Sequence, residues 1–363
     1  MSQNNAEGTG AGKKHRALVV APGRGCYNKD ELGYLKRHHQ DKLAFIDKID
    51  QYRHGIGQRG IAELDAQAKY SFKLHTPGEN ASALIYACAM ADFMDIDTAE
   101  YEVVAVTGNS MGWYIALALA GALQPDAAIK LINTMGSMMS DGLIGGQLIY
   151  PEMNEAWQTD LTVSRLVDDV INQVNQASGC ELFTSIYLGG YRVLAGNEAG
   201  MTLAETLLPR IDDKYPMRLY NHGAFHSPLL SDISDKGRAA LPESLFNAPR
   251  VSLVDGQGKI WSPYSTDTTA LYDYTLGKQV IEPYDFSKAI AVAVKEFAPD
   301  KIIVLGPGNT LGGPVAQALI QQQWFGWQDK TDFSAAQQAA PRLIAMGHDK
   351  QRFLATSHDI ETC

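Results

Sequence analysis

The fold turns on residues 103–123: Val103-Val104-Ala105-Val106-Thr107, then Gly108-Asn109-Ser110-Met111-Gly112, then Trp113 and a dense apolar run to Leu123. A short β-branched run that breaks into glycine and resumes as a helix is a buried strand turning into a helix. Within the turn, Gly-x-Ser-x-Gly is the pattern of a nucleophile elbow. The serine sits in a strained turn, and its glycine neighbours must clear the strand and helix backbones. The first N–H groups of the following helix have no intrahelical acceptor, so the Met111 N–H is placed to stabilise an oxyanion when Ser110 attacks a carbonyl.

Working outward, short β-branched runs alternate with longer amphipathic ones, which predicts an α/β domain built on parallel strands. Strands are expected at 17–21, 103–107, 217–220, 251–254 and 301–305. Helices are expected at 30–50, 81–94, 113–123, 126–139, from Leu229, and at 286–297. Between them, 142–214 changes texture to a compact β-α-β-β-α run, with strands at 146–150, 182–187 and 191–195 and helices at 161–176 and 201–211. This reads as a small inserted subdomain. Residues 1–15 are Asn/Gly/Lys-rich and read as a flexible tail, not a signal peptide. Residues 328–363 mix polar, Ala and charged residues and carry no clear pattern.

The 363 residues, 45% hydrophobic and 20% charged, are enough to bury a substantial core. The longest apolar run is far short of the roughly 20 residues of a membrane-spanning helix. A formal net charge of −10 gives no general attraction for nucleic acid or anionic lipid. Cys26, Cys88, Cys180 and Cys363 show no CxxC spacing, which fits a reducing compartment, and a cytoplasmic location is expected. The nine histidines include no HExxH, and His38 and His39 fall in a charged stretch expected to be exposed. No metal site is expected.

A serine needs a base, because its hydroxyl is barely ionised at neutral pH. In Asn221-His222-Gly223-Ala224-Phe225-His226-Ser227-Pro228, both histidines qualify. His226 is the better candidate, since Pro228 stiffens the loop that would present it.

Four segments together resemble the malonyl-CoA:acyl-carrier-protein transacylase family, which includes the acyltransferase domains of polyketide and fatty-acid synthases. They are Pro22-Gly23-Arg24-Gly25, Gly108-Asn109-Ser110-Met111-Gly112, Gly223-Ala224-Phe225-His226-Ser227-Pro228 and Leu305-Gly306-Pro307-Gly308. The resemblance spans about 17–322. It implies an α/β-hydrolase-like large subdomain (16–141 and 215–327), a ferredoxin-like small one (142–214), and an extension over 328–363. It further implies that Ser110 accepts the acyl group, that His226 is its base and acid, and that the backbone carbonyl of Gln279 orients the imidazole. The N–H groups of Met111 and Arg24 would form the oxyanion hole. The implied substrates are acyl-CoA and a phosphopantetheinylated acyl carrier protein, with no bound cofactor. An acidic carrier would require a local basic patch on this acidic chain.

Four positions depart from that pattern. Met135 stands where malonyl-using members carry an arginine for the free carboxylate, which favours an uncharged acyl group. Arg24 replaces a usual glutamine, Asn109 a usual histidine and Trp113 a usual acidic residue. Met135, Asn109, Phe225 and Trp113 are expected to shape the acyl pocket. Two alternatives follow: a hydrolase that clears acyl groups from carrier proteins, and a non-catalytic subunit that docks the carrier.

Overall fold

A computed structural model describes residues 13–139 and 142–356; most of the expected tail, Cys363 and the end of the 328–363 segment lie outside them. The strands are β1 (His15–Ala21), β2 (Tyr101–Gly108), β3 (Gly146–Pro151), β4 (Leu182–Leu188), β5 (Tyr191–Gly196), β6 (Met217–Arg218), β7 (Ser252–Val254), β8 (Ile260–Trp261), β9 (Tyr284–Asp285), β10 (Lys301–Val304) and β11 (Leu343–Ala345). They form two sheets.

The larger sheet runs β11-β10-β1-β2-β7-β8. All its pairings are parallel except that of β8 with β7. The centre of β1, Ala17-Leu18-Val19-Val20-Ala21, is fully buried. A strand covered on both faces by helices carries apolar residues continuously, not alternately. Helices Gly78–Asp95 and Pro125–Ser137 cross closely because Gly78 and Gly136 face each other, and a Cβ on either would run into the other's carbonyl oxygen. The C-terminal edge of the sheet, β11, comes from the segment whose sequence shows no clear pattern. His15, counted with the tail from sequence, opens β1 opposite Tyr101.

The smaller sheet has the order β6-β3-β5-β4-β9. With helices Leu161–Gln176 and Glu198–Leu207, its first four strands follow the chain order β-α-β-β-α-β of a ferredoxin-like unit. Asp160 and Asn197 cap the two helices by accepting N–H bonds from their first turns. Leu148, Val167, Val174, Leu182, Leu194 and Met201 belong to a separate apolar core beneath this sheet. β9 crosses back from the large subdomain to pair with β4.

Three expectations change. The helix expected at 30–50 is broken into Tyr34–His38 and Leu43–Gly55, with Gly33 in the left-handed region at its start. The helix expected to reach Leu123 stops at Leu119, where Gly121 at φ 75° turns the chain. His39 is not exposed: it is fully buried, with Nε2 2.9 Å from Asp92 and Nδ1 3.2 Å from Asp95, because two carboxylates of helix Gly78–Asp95 draw it inward. Among the described residues, no helix is long and apolar enough to cross a membrane.

Candidate active site

Ser110 holds φ at 55°, a left-handed conformation that strains a residue with a side chain. The flanking glycines are required by contact. A Cβ on Gly108 would strike the Gly112 carbonyl, and one on Gly112 would lie 2.5 Å from the Ala21 oxygen at the end of β1. The elbow therefore presses against the neighbouring strand and projects its hydroxyl outward, where Ser110 Oγ lies 2.7 Å from His226 Nε2.

His226 is held from behind by the C-terminal end of a short helix. A π-helical turn at Tyr274–Lys278 leads into Gln279–Ile281, and the last carbonyls of a helix lack intrahelical donors. The carbonyl of Gln279 accepts from His226 Nδ1 at 2.6 Å, and that of Val280 accepts from the His226 backbone N–H at 3.0 Å. With Nδ1 donating, Nε2 is the acceptor that faces the serine hydroxyl. Burial pushes the imidazole down to about 4, against the opposing pull of the Gln279 carbonyl. The ring is thus neutral at pH 7.

The side chain of Gln279 adds a tie that the sequence did not reveal. Its Oε1 accepts from the Tyr114 hydroxyl at 2.7 Å and its Nε2 donates to the Ser110 carbonyl at 3.2 Å. One residue thereby spans the histidine and the elbow. The available signal was Tyr114 itself, a hydroxyl in the otherwise apolar helix Gly112–Leu119.

The first glycine loop closes over the elbow. Asn109 N–H donates to the Ala21 carbonyl at 3.1 Å, and a Cβ on Gly23 would lie 2.5 Å from the Asn109 oxygen. Among the described residues, the backbone N–H groups of Met111 and Arg24 donate to no backbone carbonyl. Both remain available to an oxyanion.

Beside Ser110 lies a pocket of about 60 Å³, walled by Tyr114, Met135, Met139, Phe225, Leu230, Ile233 and Val280, with Arg24 as its one cation among the described residues. Outside it, a cleft of about 810 Å³ separates the two subdomains and reaches Ser110 from the surface. Of the residues expected in the acyl pocket, Met135 and Phe225 line it. Asn109 lines the outer cleft instead, because it stacks over Gly23. Trp113 belongs to neither space: it is fully buried, donates from Nε1 to Thr275 Oγ1 at 3.0 Å and packs edge-on against Tyr274. Its position in the helix turns it into the large core.

His222, the competing base, is paired with Gln147 Oε1 at 2.9 Å and makes no hydrogen bond to Ser110, whose hydroxyl meets His226. Burial and the nearby Arg24 charge push it down to about 3. The Arg24 guanidinium enters the site: Nη2 donates to the carbonyls of Thr76 at 2.8 Å and Asn221 at 2.9 Å, and the group lies 5.5 Å from the Phe225 ring centre. Burial lowers it to about 10. Among the described residues, no group of three or more His, Cys, Asp or Glu side chains is placed to hold a metal ion.

The chain matches no protein-family model. A malonyl CoA-acyl carrier protein transacylase of Haemophilus influenzae is 25% identical over 238 residues, covering 64% of this chain and 71% of that protein. The iterative polyketide synthase afoE of Emericella nidulans is 26% identical over 291 residues, covering 76% of this chain but only 10% of the synthase. Among solved structures, a malonyl-transacylase in complex with its type II polyketide-synthase acyl-carrier protein aligns at a TM-score of 0.68 and 16% identity, covering 95% of this chain and 100% of that one. At that identity the likeness is one of fold. By sequence and fold together, the chain is similar to malonyl-CoA:acyl-carrier-protein transacylases and to the acyltransferase domains of polyketide synthases, at the distance of a divergent relative.

Proposed function

We propose that the protein moves an acyl group from a coenzyme A thioester to the phosphopantetheine thiol of an acyl carrier protein, through an acyl-enzyme on Ser110, in fatty-acid or polyketide synthesis. The observation that carries this reading is the 2.7 Å contact between Ser110 Oγ and a His226 whose other nitrogen is fixed by a carbonyl.

In the first half-reaction, Ser110 Oγ attacks the thioester carbonyl while His226 Nε2 takes its proton. The N–H groups of Met111 and Arg24 hold the oxyanion. The tetrahedral intermediate collapses, the carbon–sulfur bond breaks, and His226 returns the proton to the departing coenzyme A thiolate. In the second half, the carrier's thiol gives its proton to His226 and attacks the acyl-serine, and the Ser110 oxygen leaves with that proton. The carbonyls of Gln279 and Val280, at a helix C-terminus, favour the imidazolium that forms transiently in each half. No step calls for a metal or a bound redox cofactor.

The outer cleft fits this scheme, since it is an open route of about 810 Å³ that reaches Ser110. The carrier as acceptor is further supported by the solved relative that sits with its own acyl-carrier protein. The test is intact-protein mass spectrometry after brief exposure to acyl-CoA thioesters, followed by a phosphopantetheinylated carrier. Acyl mass that appears on the enzyme, is absent in Ser110→Ala and moves to the carrier upholds the reading. Acyl mass lost to water with the carrier unloaded replaces it with hydrolysis. A wild-type enzyme that never acquires the mass leaves only carrier docking.

A further inference from the structure

We propose that Ser185 and Gln147, two buried polar residues of the small subdomain, are positioning residues for the base: a one-way chain of hydrogen bonds through them holds the peptide group that carries His226. The proposal rests on the acyl-transfer reading above and adds to it what aims the imidazole.

His226 has φ at 57°, in the left-handed region. A residue with a side chain keeps that conformation only where its surroundings over-determine it. The φ of His226 depends on the peptide group between Phe225 and His226, and that group is held at both ends. Its N–H donates to the Val280 carbonyl of the large subdomain at 3.0 Å, and its C=O accepts from Ser185 Oγ of the small subdomain at 2.7 Å. Each subdomain thus grips one end.

Ser185 is brought to that carbonyl by a bulge. Where β4 pairs with β5, Thr184 lies opposite Leu194 and Ile186 opposite Val193, so Ser185 is one residue more than the partner strand has. A bulge breaks the alternation of faces and re-aims a side chain, and here the consecutive residues Ser185 and Ile186 are both buried. A hydroxyl has one proton, and the Phe225 carbonyl takes it, so a second partner of Ser185 Oγ must donate. Gln147 Nε2, from β3, does so at 2.6 Å. Gln147 Oε1 is then the acceptor, paired with His222 Nδ1 at 2.9 Å. The three bonds run one way, from His222 through Gln147 and Ser185 to Phe225. An apolar pair would fill the same space, but it would supply no donor for the Phe225 carbonyl. His222, passed over as the base, forms the outer end of the chain, in the cleft.

The test measures Ser110 acylation over a range of concentrations of malonyl-CoA or acetyl-CoA, whichever acylates wild type faster. Wild type is compared with Ser185→Ala, Ser185→Thr and Gln147→Leu. Ser185 lines neither the acyl pocket nor the outer cleft. Ser185→Ala should therefore lower the limiting rate by roughly 10- to 100-fold, the scale of a misplaced catalytic group, with the half-saturating concentration unchanged. Ser185→Thr, which keeps the donor, should recover most of that rate, and Gln147→Leu, which leaves the donor unsupported, should fall between. A wild-type limiting rate in Ser185→Ala, a loss confined to half-saturation, or no recovery in a folded Ser185→Thr overturns the proposal. Should urea unfolding show that Ser185→Ala does not fold, the limiting rate of Gln147→Leu decides in its place. If no thioester acylates wild type, acyl transfer itself fails. The positioning is then judged with phenylmethylsulfonyl fluoride, which labels a serine activated by a base. Labelling of Ser110 that slows in Ser185→Ala upholds it, and equal labelling, or none in wild type, overturns it.

Discussion

Two buried histidines in this molecule have opposite surroundings. His39 lies behind helix Gly78–Asp95 among Asp92, Asp95 and Arg352, where the two carboxylates outweigh burial and raise its pKa. Asp92 is fully buried yet held below the usual carboxylate range. Burial alone would raise it, but His39 and Arg352 more than offset that, and it also accepts from the Tyr34 hydroxyl at 2.8 Å and the Gly306 N–H at 2.7 Å. His226 meets only carbonyls and a hydroxyl, and burial wins. The first region pairs every charge and stays fixed. The second leaves a neutral imidazole, two backbone N–H groups without a backbone acceptor and a guanidinium without an acidic partner among the described residues, and the imidazole and N–H groups are those on which the proposed acyl transfer draws. Buried arginines divide the same way: Arg192 sits between Glu152 and Asp168, and Arg53 makes four hydrogen bonds, whereas the Nε of Arg24 has none.

The contrast breaks most visibly at Asp92. Asp92→Asn leaves Arg352 and His39 with one buried anion fewer, and should cost about 3–5 kcal/mol of stability in urea unfolding. In the opposite region, His226→Ala should slow acylation by roughly 1,000-fold while lowering the unfolding midpoint by less than Asp92→Asn does. A large stability loss there would show that His226 belongs to the framework after all.

The pH dependence sharpens the same comparison. A base whose native pKa is about 4 is active above that value and is lost as it gains a proton. The acylation rate should therefore hold from neutral pH to about pH 5 and fall about tenfold per unit below the pKa, whereas a limb near 6.5 would mean a solvated imidazole. By linkage, His226 contributes stability that declines as pH falls from its unfolded value near 6.5 toward 4, while His39 contributes stability that declines as pH rises through its raised native value. Tyr114→Phe orphans Gln279 Oε1 and should cost about 1–2 kcal/mol in unfolding together with a several-fold slower acylation. The smallest effect is expected from Trp113→Phe, about 1 kcal/mol of stability from the lost bond to Thr275 with the ranking of acyl-CoA thioesters unchanged.

The elbow was legible in the sequence because close contact demands glycine at Gly108 and Gly112, and the central strands because burial on both faces demands unbroken apolar runs. The histidine segment was legible only as a pair of candidates. What separates them is spatial: His222 meets Gln147, and His226 meets Ser110. His39 and Trp113 misled for one reason, since their burial is set by Asp92 and Thr275, partners 53 and 162 residues away. Strands as short as β8 and β9 have two residues each and show no period at all. Which way Arg24 points is fixed by the carbonyls of Thr76 and Asn221, 52 and 197 residues away.

The central claim is that Ser110 carries the acyl group. Peptide mapping of the enzyme quenched in acid within seconds of mixing with acyl-CoA tests it most directly. The account predicts the acyl mass on the peptide containing Ser110, and none anywhere in Ser110→Ala. Acyl mass on another residue, or undiminished labelling of Ser110→Ala, would contradict it.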